Sequence, residues 1–270
     1  MAYAAMKCVS LVTQKEQTLL LAFLAVLLIP TVVLNGAYWG QCDSIYTAFC
    51  LMGFYFAMRK KSNGGAAILC FSIGFTFKLQ AVFLLPALMV CVLNRKIKLR
   101  SWLLFPAVNV LAWAPALLAR RPLADLINVY IGQAGEFTAL SLRIFNAYAL
   151  FTAEGPLAQA LTVGAIFFTA VLLWLLCFVC YNGRERMTTE NYFLLAYLSV
   201  AIMVFFLPRM HDRYAYMADV LAVVLLCMNR RLWYLPLVTV LCSLLGYMDY
   251  LTTPYVWEEL QAGVKYGEIL

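Results

Sequence analysis

Residues 208–214, PRMHDRY, hold two guanidiniums (Arg209 and Arg213), the chain's only histidine (His211), a carboxylate (Asp212) and a phenol (Tyr214), with apolar runs on both sides. Arginine recognises phosphate through a planar, bidentate fork of N–H donors, so this segment suits a pyrophosphate or a lipid monophosphate. The plainer reading is a solvated loop whose arginines anchor to headgroups, but the accompanying His and Asp favour the phosphate site. A further cation, Lys78, stands inside the apolar run 71–93 with Gln80 two residues on. It either snorkels to an interface, neutralises Asp43 or Asp212, or holds an anionic ligand. The third polar stretch is WGQCDS at 39–44, where Asp43 is flanked by Gln41 and Ser44 at the start of an apolar run. Asp43 and Asp212 are the candidate acid/base groups. A helix N-cap formed by Asp43 or Ser44 is an equal alternative for the first of them. Asp219, seven residues after Asp212, joins the candidates as a residue of the same helical face.

Such groups need elements to hold them, and the composition names the kind. Of 270 residues 65% are apolar and only 12% charged, with a mean hydropathy of +0.85; a soluble domain carries roughly 25% charge. A helical crossing takes about 20 apolar residues, and the apolar runs do not alternate as barrel strands would. The fold expected is therefore all-α: a polytopic transmembrane helix bundle of eight or nine hydrophobic helices in a single domain, 1–270.

The expected spans are 19–35, kinked at Pro30, then 45–58, 102–119, 157–181, 192–207, 214–227 and 232–248. The run 64–93 is too long for one crossing and has basic clusters at both ends, Arg59–Lys61 before it and Arg95, Lys96, Lys98 and Arg100 after it. A single crossing would put one cluster outside. A hairpin of two short helices with its apex near Lys78 to Gln80 keeps both inside, and short half-helices are tolerated where they line a protein-walled cavity. Residues 120–151, with Asp125, Tyr130, Gln133, Glu136, Arg143 and Asn146, read as an external loop carrying an interfacial helix. Residues 249–270 read as an external tail. Thirteen of the twenty Lys and Arg then fall inside, as the positive-inside rule requires. The N-terminus is cytoplasmic in this arrangement, and residues 1–12 are expected to lack a cleavable signal. All three polar stretches lie at the external ends of spans. Ionisable groups at membrane depth are expensive and functional by default, so one external cavity is expected there, with Gln41, Gln80, Gln133 and Asp219 among its lining.

Several classes are excluded. The net charge of +7 is explained by topology, and no nucleic-acid-binding module is present. There is no Walker loop, HExxH or GxSxG. One histidine and scattered cysteines make a zinc site improbable. Cys177 and Cys180 form a CxxC inside an apolar run, where they read as small packing residues. No metal ligand set is assigned, no cofactor is certain, and a carboxylate-held divalent cation stays open.

Four blocks carry a resemblance. They are WGQCDSIYTAF at 39–49, FKLQAVFLLP at 77–86, YIGQAGE at 130–136 with Leu140 to Leu142, and LPRMHDRYAYMAD at 207–219. Together they resemble the bacterial membrane proteins related to GPI mannosyltransferase II, of the GT-C glycosyltransferases. That resemblance implies transfer of a sugar, often mannose, from a polyprenyl-phosphate donor to a glycan or lipid acceptor on the extracytoplasmic face of the plasma membrane, with inversion. A carboxylate would activate the acceptor hydroxyl, and cations would stabilise charge on the leaving phosphate; Lys78, Arg209, His211, Arg213 and Tyr214 are the residues expected at the donor phosphate. The family's essential Asp follows its first span, and no residue here matches it. The chain is accordingly expected to begin partway through the family's pattern, with residues 1–12 the tail of an upstream helix. The alternative function is a lipid-phosphate binder or transporter without chemistry, or an inactive fragment.

Overall fold

The computed structural model describes residues 1–132, 139–150, 153 and 155–252. Its elements in order are α1 (Ala2–Val9), α2 (Glu16–Leu28), α3 (Pro30–Val33), α4 (Asp43–Met58), α5 (Gly64–Phe77), α6 (Leu85–Leu93), α7 (Leu104–Leu118), α8 (Leu123–Gly132), β1 (Ser141–Leu142), α9 (Gly155–Asn182), α10 (Thr189–Phe206), β2 (Met210–His211), α11 (Tyr216–Met228) and α12 (Tyr234–Thr252). The nearly all-helical fold expected from the composition is what is found.

Among the described residues, the eight or nine hydrophobic helices expected are not all of membrane length. Among the described residues four helical stretches are long and apolar enough to cross a bilayer: Leu99–Leu118, Gly155–Asn182, Thr189–Phe206 and Arg230–Met248. A fifth is obtained if Glu16–Leu28 and Pro30–Tyr38, bent by 54°, count as one. That bend sits at Pro30, where the ring removes a backbone donor and forces Ile29 out of the helical region (φ −56°, ψ 125°). The expected spans 45–58 and 214–227 form helices of only 16 and 13 residues, short of the roughly 20 that a crossing needs. α4 is partly buried and α11 is a core helix. In α11 every residue from Tyr216 to Leu225 is buried, enclosed by α1, α2, α10 and α12. The longer helices show apolar side chains outward, such as Phe167, Trp174 and Val179 on α9, more exposed apolar surface than soluble proteins tolerate.

Residues 64–93 do leave and return. α5 ends at Lys78, which is extended (φ −156°, ψ 130°), and a 3-10 turn (Leu79–Leu84) leads into α6. At the far end, a Cβ added to Gly64 would lie 3.2 Å from the Cα of Ile97, so the start of α5 touches the chain just after α6. α5 packs closely against α4 through two glycines: an added Cβ at Gly53 would meet the Ala67 carbonyl at 2.8 Å, and one at Gly74 the Tyr46 carbonyl at 3.2 Å. Small residues at such contacts let apolar helices approach. α1 is not peripheral, since Ala5, Cys8 and Val9 are fully buried against α2, α4 and α11.

Between α7 and α9 the described part of the connection contains α8, largely exposed, and the short strand β1. β1 pairs in parallel with β2, Ser141 opposite Met210 and Leu142 opposite His211. The Arg209 N–H extends this ladder to the Leu140 carbonyl at 2.8 Å.

Candidate functional site

The three polar stretches meet. Asp43, the first residue of α4, is buried, and its Oδ1 accepts a close hydrogen bond from the Lys78 ammonium at the hairpin apex. Its Oδ2 accepts from Asn35 Nδ2 at 2.8 Å, and the same amide donates to the Tyr247 hydroxyl at 3.2 Å. Neither cap alternative holds at α4: its N-cap position is Cys42, without a side-chain cap. The Asp43 side chain is drawn to Lys78 instead, because a nearly buried ammonium needs a counter-charge more than a helix terminus does. Lys78 also lies 5.9 Å from the centre of the Tyr46 ring.

The 207–214 segment is fixed at its start by β2 and at its end by a 3-10 turn (Asp212–Ala215) leading into α11. Arg209 adopts a left-handed backbone, φ 61°, a conformation that non-glycine residues rarely adopt. Asp212 is buried; its Oδ1 accepts the Arg213 N–H at 2.7 Å and lies 2.8 Å from His211 Nδ1. Its Oδ2 has no hydrogen-bond partner among the described residues. The Arg213 guanidinium stacks 5.3 Å over Trp39, whose ring meets Tyr247 edge-on at 5.5 Å. One aromatic pair thus ties α12 to the segment before α4 and supports the Arg213 cation.

Two cavities open beside these groups. A polar one of about 340 Å³ is lined by Thr76, Lys78, Gln80, Tyr130, Arg213 and Tyr214, among others. An apolar one of about 350 Å³ is lined by Val82, Phe83, Ile166, Pro208, Arg209 and Met210. Leu79, Gln80 and Tyr214 belong to both. Gln80 is buried, and its Oε1 has no partner among the described residues. Cationic and apolar compartments that share a wall fit an amphiphile with an anionic head.

Other expected members are placed elsewhere. Asp219 is fully buried and lines neither cavity. It accepts from the Thr31 hydroxyl at 2.7 Å and the Ser243 hydroxyl at 2.9 Å, which ties α3, α11 and α12 together. Gln41 is half-buried, its N–H bonded to the Asn35 carbonyl at 2.9 Å. Gln133 and Glu136 lie outside the described residues, as does the tail from 253 onward. Among the described residues no three His, Cys, Asp or Glu side chains cluster as a metal site. Cys177 and Cys180 are free thiols within α9, and Cys177 Sγ points to the Pro86 carbonyl at 3.6 Å.

Sequence reasoning missed Asn35, Tyr247 and Thr31, and gave Trp39 no role beyond its place in the 39–44 stretch. Asn35 carried a signal, since an amide ending an apolar run must find a buried partner. Tyr247 lies 212 residues from the Asn35 it bonds, a pairing no local pattern reports. Tyr148 was also unforeseen: its hydroxyl donates to the Phe206 carbonyl at 2.9 Å, and burial raises its phenol pKa, so it stays a neutral clamp on the loop after β1. No protein-family model, curated protein or solved structure matches the chain.

Proposed function

We propose that the chain is a multi-pass plasma-membrane glycosyltransferase that takes its sugar, mannose being the first choice, from a polyprenyl-phosphate donor and passes it to an extracytoplasmic glycan or lipid acceptor. One observation carries this reading: Lys78 and Arg213 wall a polar cavity that shares Leu79, Gln80 and Tyr214 with an apolar one. The donor phosphate sits against Lys78 and Arg213, and the first isoprene units run past Phe83, Ile166 and Met210. Asp43 keeps the Lys78 ammonium at the cavity wall. The cations stabilise charge as the phosphate leaves, and Asp212, beside His211, is the carboxylate for proton abstraction from the acceptor. The N-terminus faces the cytoplasm and the tail the outside, consistent with basic clusters at one end of the helices and the site at the other.

A second reading, binding or transport of a lipid phosphate without transfer, is favoured by the burial of both carboxylates. Asp43 and Asp212 are each only 1% exposed, so neither meets an acceptor hydroxyl in this conformation. One assay separates the two: the purified chain in lipid nanodiscs with radiolabelled polyprenyl-phosphate-mannose and a glycan or lipid acceptor. Labelled product, lowered about tenfold or more by Arg213→Ala through loss of one charge-stabilising donor, supports the enzyme. Saturable donor binding with no product supports the binder. Neither product nor binding overturns both.

A further inference from the structure

A further cavity lies away from this site. It measures about 600 Å³ and is lined by Ser62, Asn63, Gly64 and Gly65 before and at the start of α5, and by Arg95, Lys96, Lys98, Arg100, Ser101, Leu103 and Leu104 after α6. α5 runs from here to Lys78, so its 14 residues separate the cavity from the candidate site by about 20 Å at 1.5 Å per residue.

Four cationic side chains line this basin and no carboxylate does. No ion pair involving any of the four is found among the described residues. Lys96 leans over the Tyr192 ring at 5.0 Å, while Arg95, Lys98 and Arg100 are exposed. The backbone holds them in place: Arg95 is left-handed (φ 58°), and the N–H groups of Lys96 and Ile97 both reach the Cys91 carbonyl, at 2.8 and 3.1 Å. Close approach at Gly64, whose added Cβ would meet Lys98 N at 3.3 Å and Ser101 Oγ at 3.3 Å, sets the start of α5 against the basic turn. Its first turn adds positive dipole potential, and Asn63 caps it by accepting from the Ala66 N–H at 3.0 Å.

A scatter of cations would satisfy the charge-orientation rule; four cations gathered around one half-open basin are a different feature. Its volume falls in the range of small-ligand sites, and its charge calls for an anion. The rim identifies which one. Leu99 and Leu103 are 74% and 73% exposed beside the cations, so apolar surface adjoins the charged pocket, as at a headgroup–acyl boundary. Basic pockets at the cytoplasmic ends of membrane helices take anionic headgroups. We infer that this basin binds the phosphate headgroup of an anionic glycerophospholipid of the surrounding leaflet, with its acyl chains along Leu99, Leu103 and Leu104.

The test is native mass spectrometry of the purified full chain titrated with phosphatidylglycerol or phosphatidylcholine. Phosphatidylglycerol is expected to be retained at least about tenfold more strongly than phosphatidylcholine, and millimolar inorganic phosphate leaves it bound. With each cation near a phosphate surface contributing about fivefold, Arg95→Asn with Lys98→Gln weakens retention roughly thirtyfold. Asn is chosen because it tolerates the left-handed backbone. Arg100→Gln alone weakens retention roughly fivefold and decides the matter if the double variant does not fold. Lys60→Gln with Lys61→Gln, outside the basin, leaves retention unchanged. Equal retention of the two lipids, or no loss in the basin variants, overturns the proposal. Displacement by inorganic phosphate overturns the lipid assignment in favour of a free anion.

Discussion

Lys78 and Asp43 are 35 residues apart in sequence and in direct contact, and their pairing determines what each can do. A carboxylate that holds an ammonium and accepts from Asn35 has little freedom to act as a base. A lysine held at a cavity wall by a buried counter-ion is ready to meet a second anion. Removing one member of a buried pair leaves the other uncompensated, at a cost of about 3–5 kcal/mol. Asp43→Asn is therefore expected to destabilise the detergent-solubilised chain on that scale, while Asp43→Asn with Lys78→Met recovers much of the loss. The coupling, measured by a double-mutant cycle of unfolding free energies, is expected to exceed about 1 kcal/mol. Additive effects would show that the ion pair is not formed in solution.

At the scale of elements, much of the arrangement is legible in the sequence. Pro30 marks the bend, and basic clusters flanking an over-long apolar run imply the hairpin, with Lys78 at its break. Meeting of the 39–44, 78–80 and 207–214 stretches follows from placing each at the same ends of helices. Hydropathy could not report which apolar runs are lipid-facing and which are core, because both look alike. α11 is as apolar as the spans and yet enclosed. Nor could it reveal the short ladder between β1 and β2, whose pairing is long-range and two residues deep. That ladder rests on α12 through Gly246: an added Cβ there would lie 2.7 Å from the Arg143 carbonyl and 3.9 Å from Asp212 Cβ. Gly246→Ala must push the loop after β1 away, an overpacking cost of about 1–3 kcal/mol. Hydrogen exchange at the Arg209 amide, bonded to Leu140 in the native chain, is expected to accelerate selectively. Unchanged exchange would show that the ladder does not depend on this contact.

The whole molecule has two ends of different character. One holds Lys78, Arg213 and the paired polar and apolar cavities; the other holds the basin of Arg95, Lys96, Lys98 and Arg100. Between them short core helices are flanked by α7, α9 and α12, whose outer faces are apolar. This polarity suits the proposed function, with a lipid substrate at one leaflet and the proposed headgroup basin at the other, and it makes the location of the substrate the decisive question. A diazirine-bearing polyprenyl phosphate, photolysed with the full chain in nanodiscs and mapped by peptide mass spectrometry, answers it. Labels are expected on peptides containing Val82, Phe83 and 207–214, suppressed by excess unlabelled polyprenyl phosphate and by Lys78→Met with Arg213→Ala. Labelling confined to residues 95–104, or spread without competition over the outer faces of α9 and α12, would contradict the account.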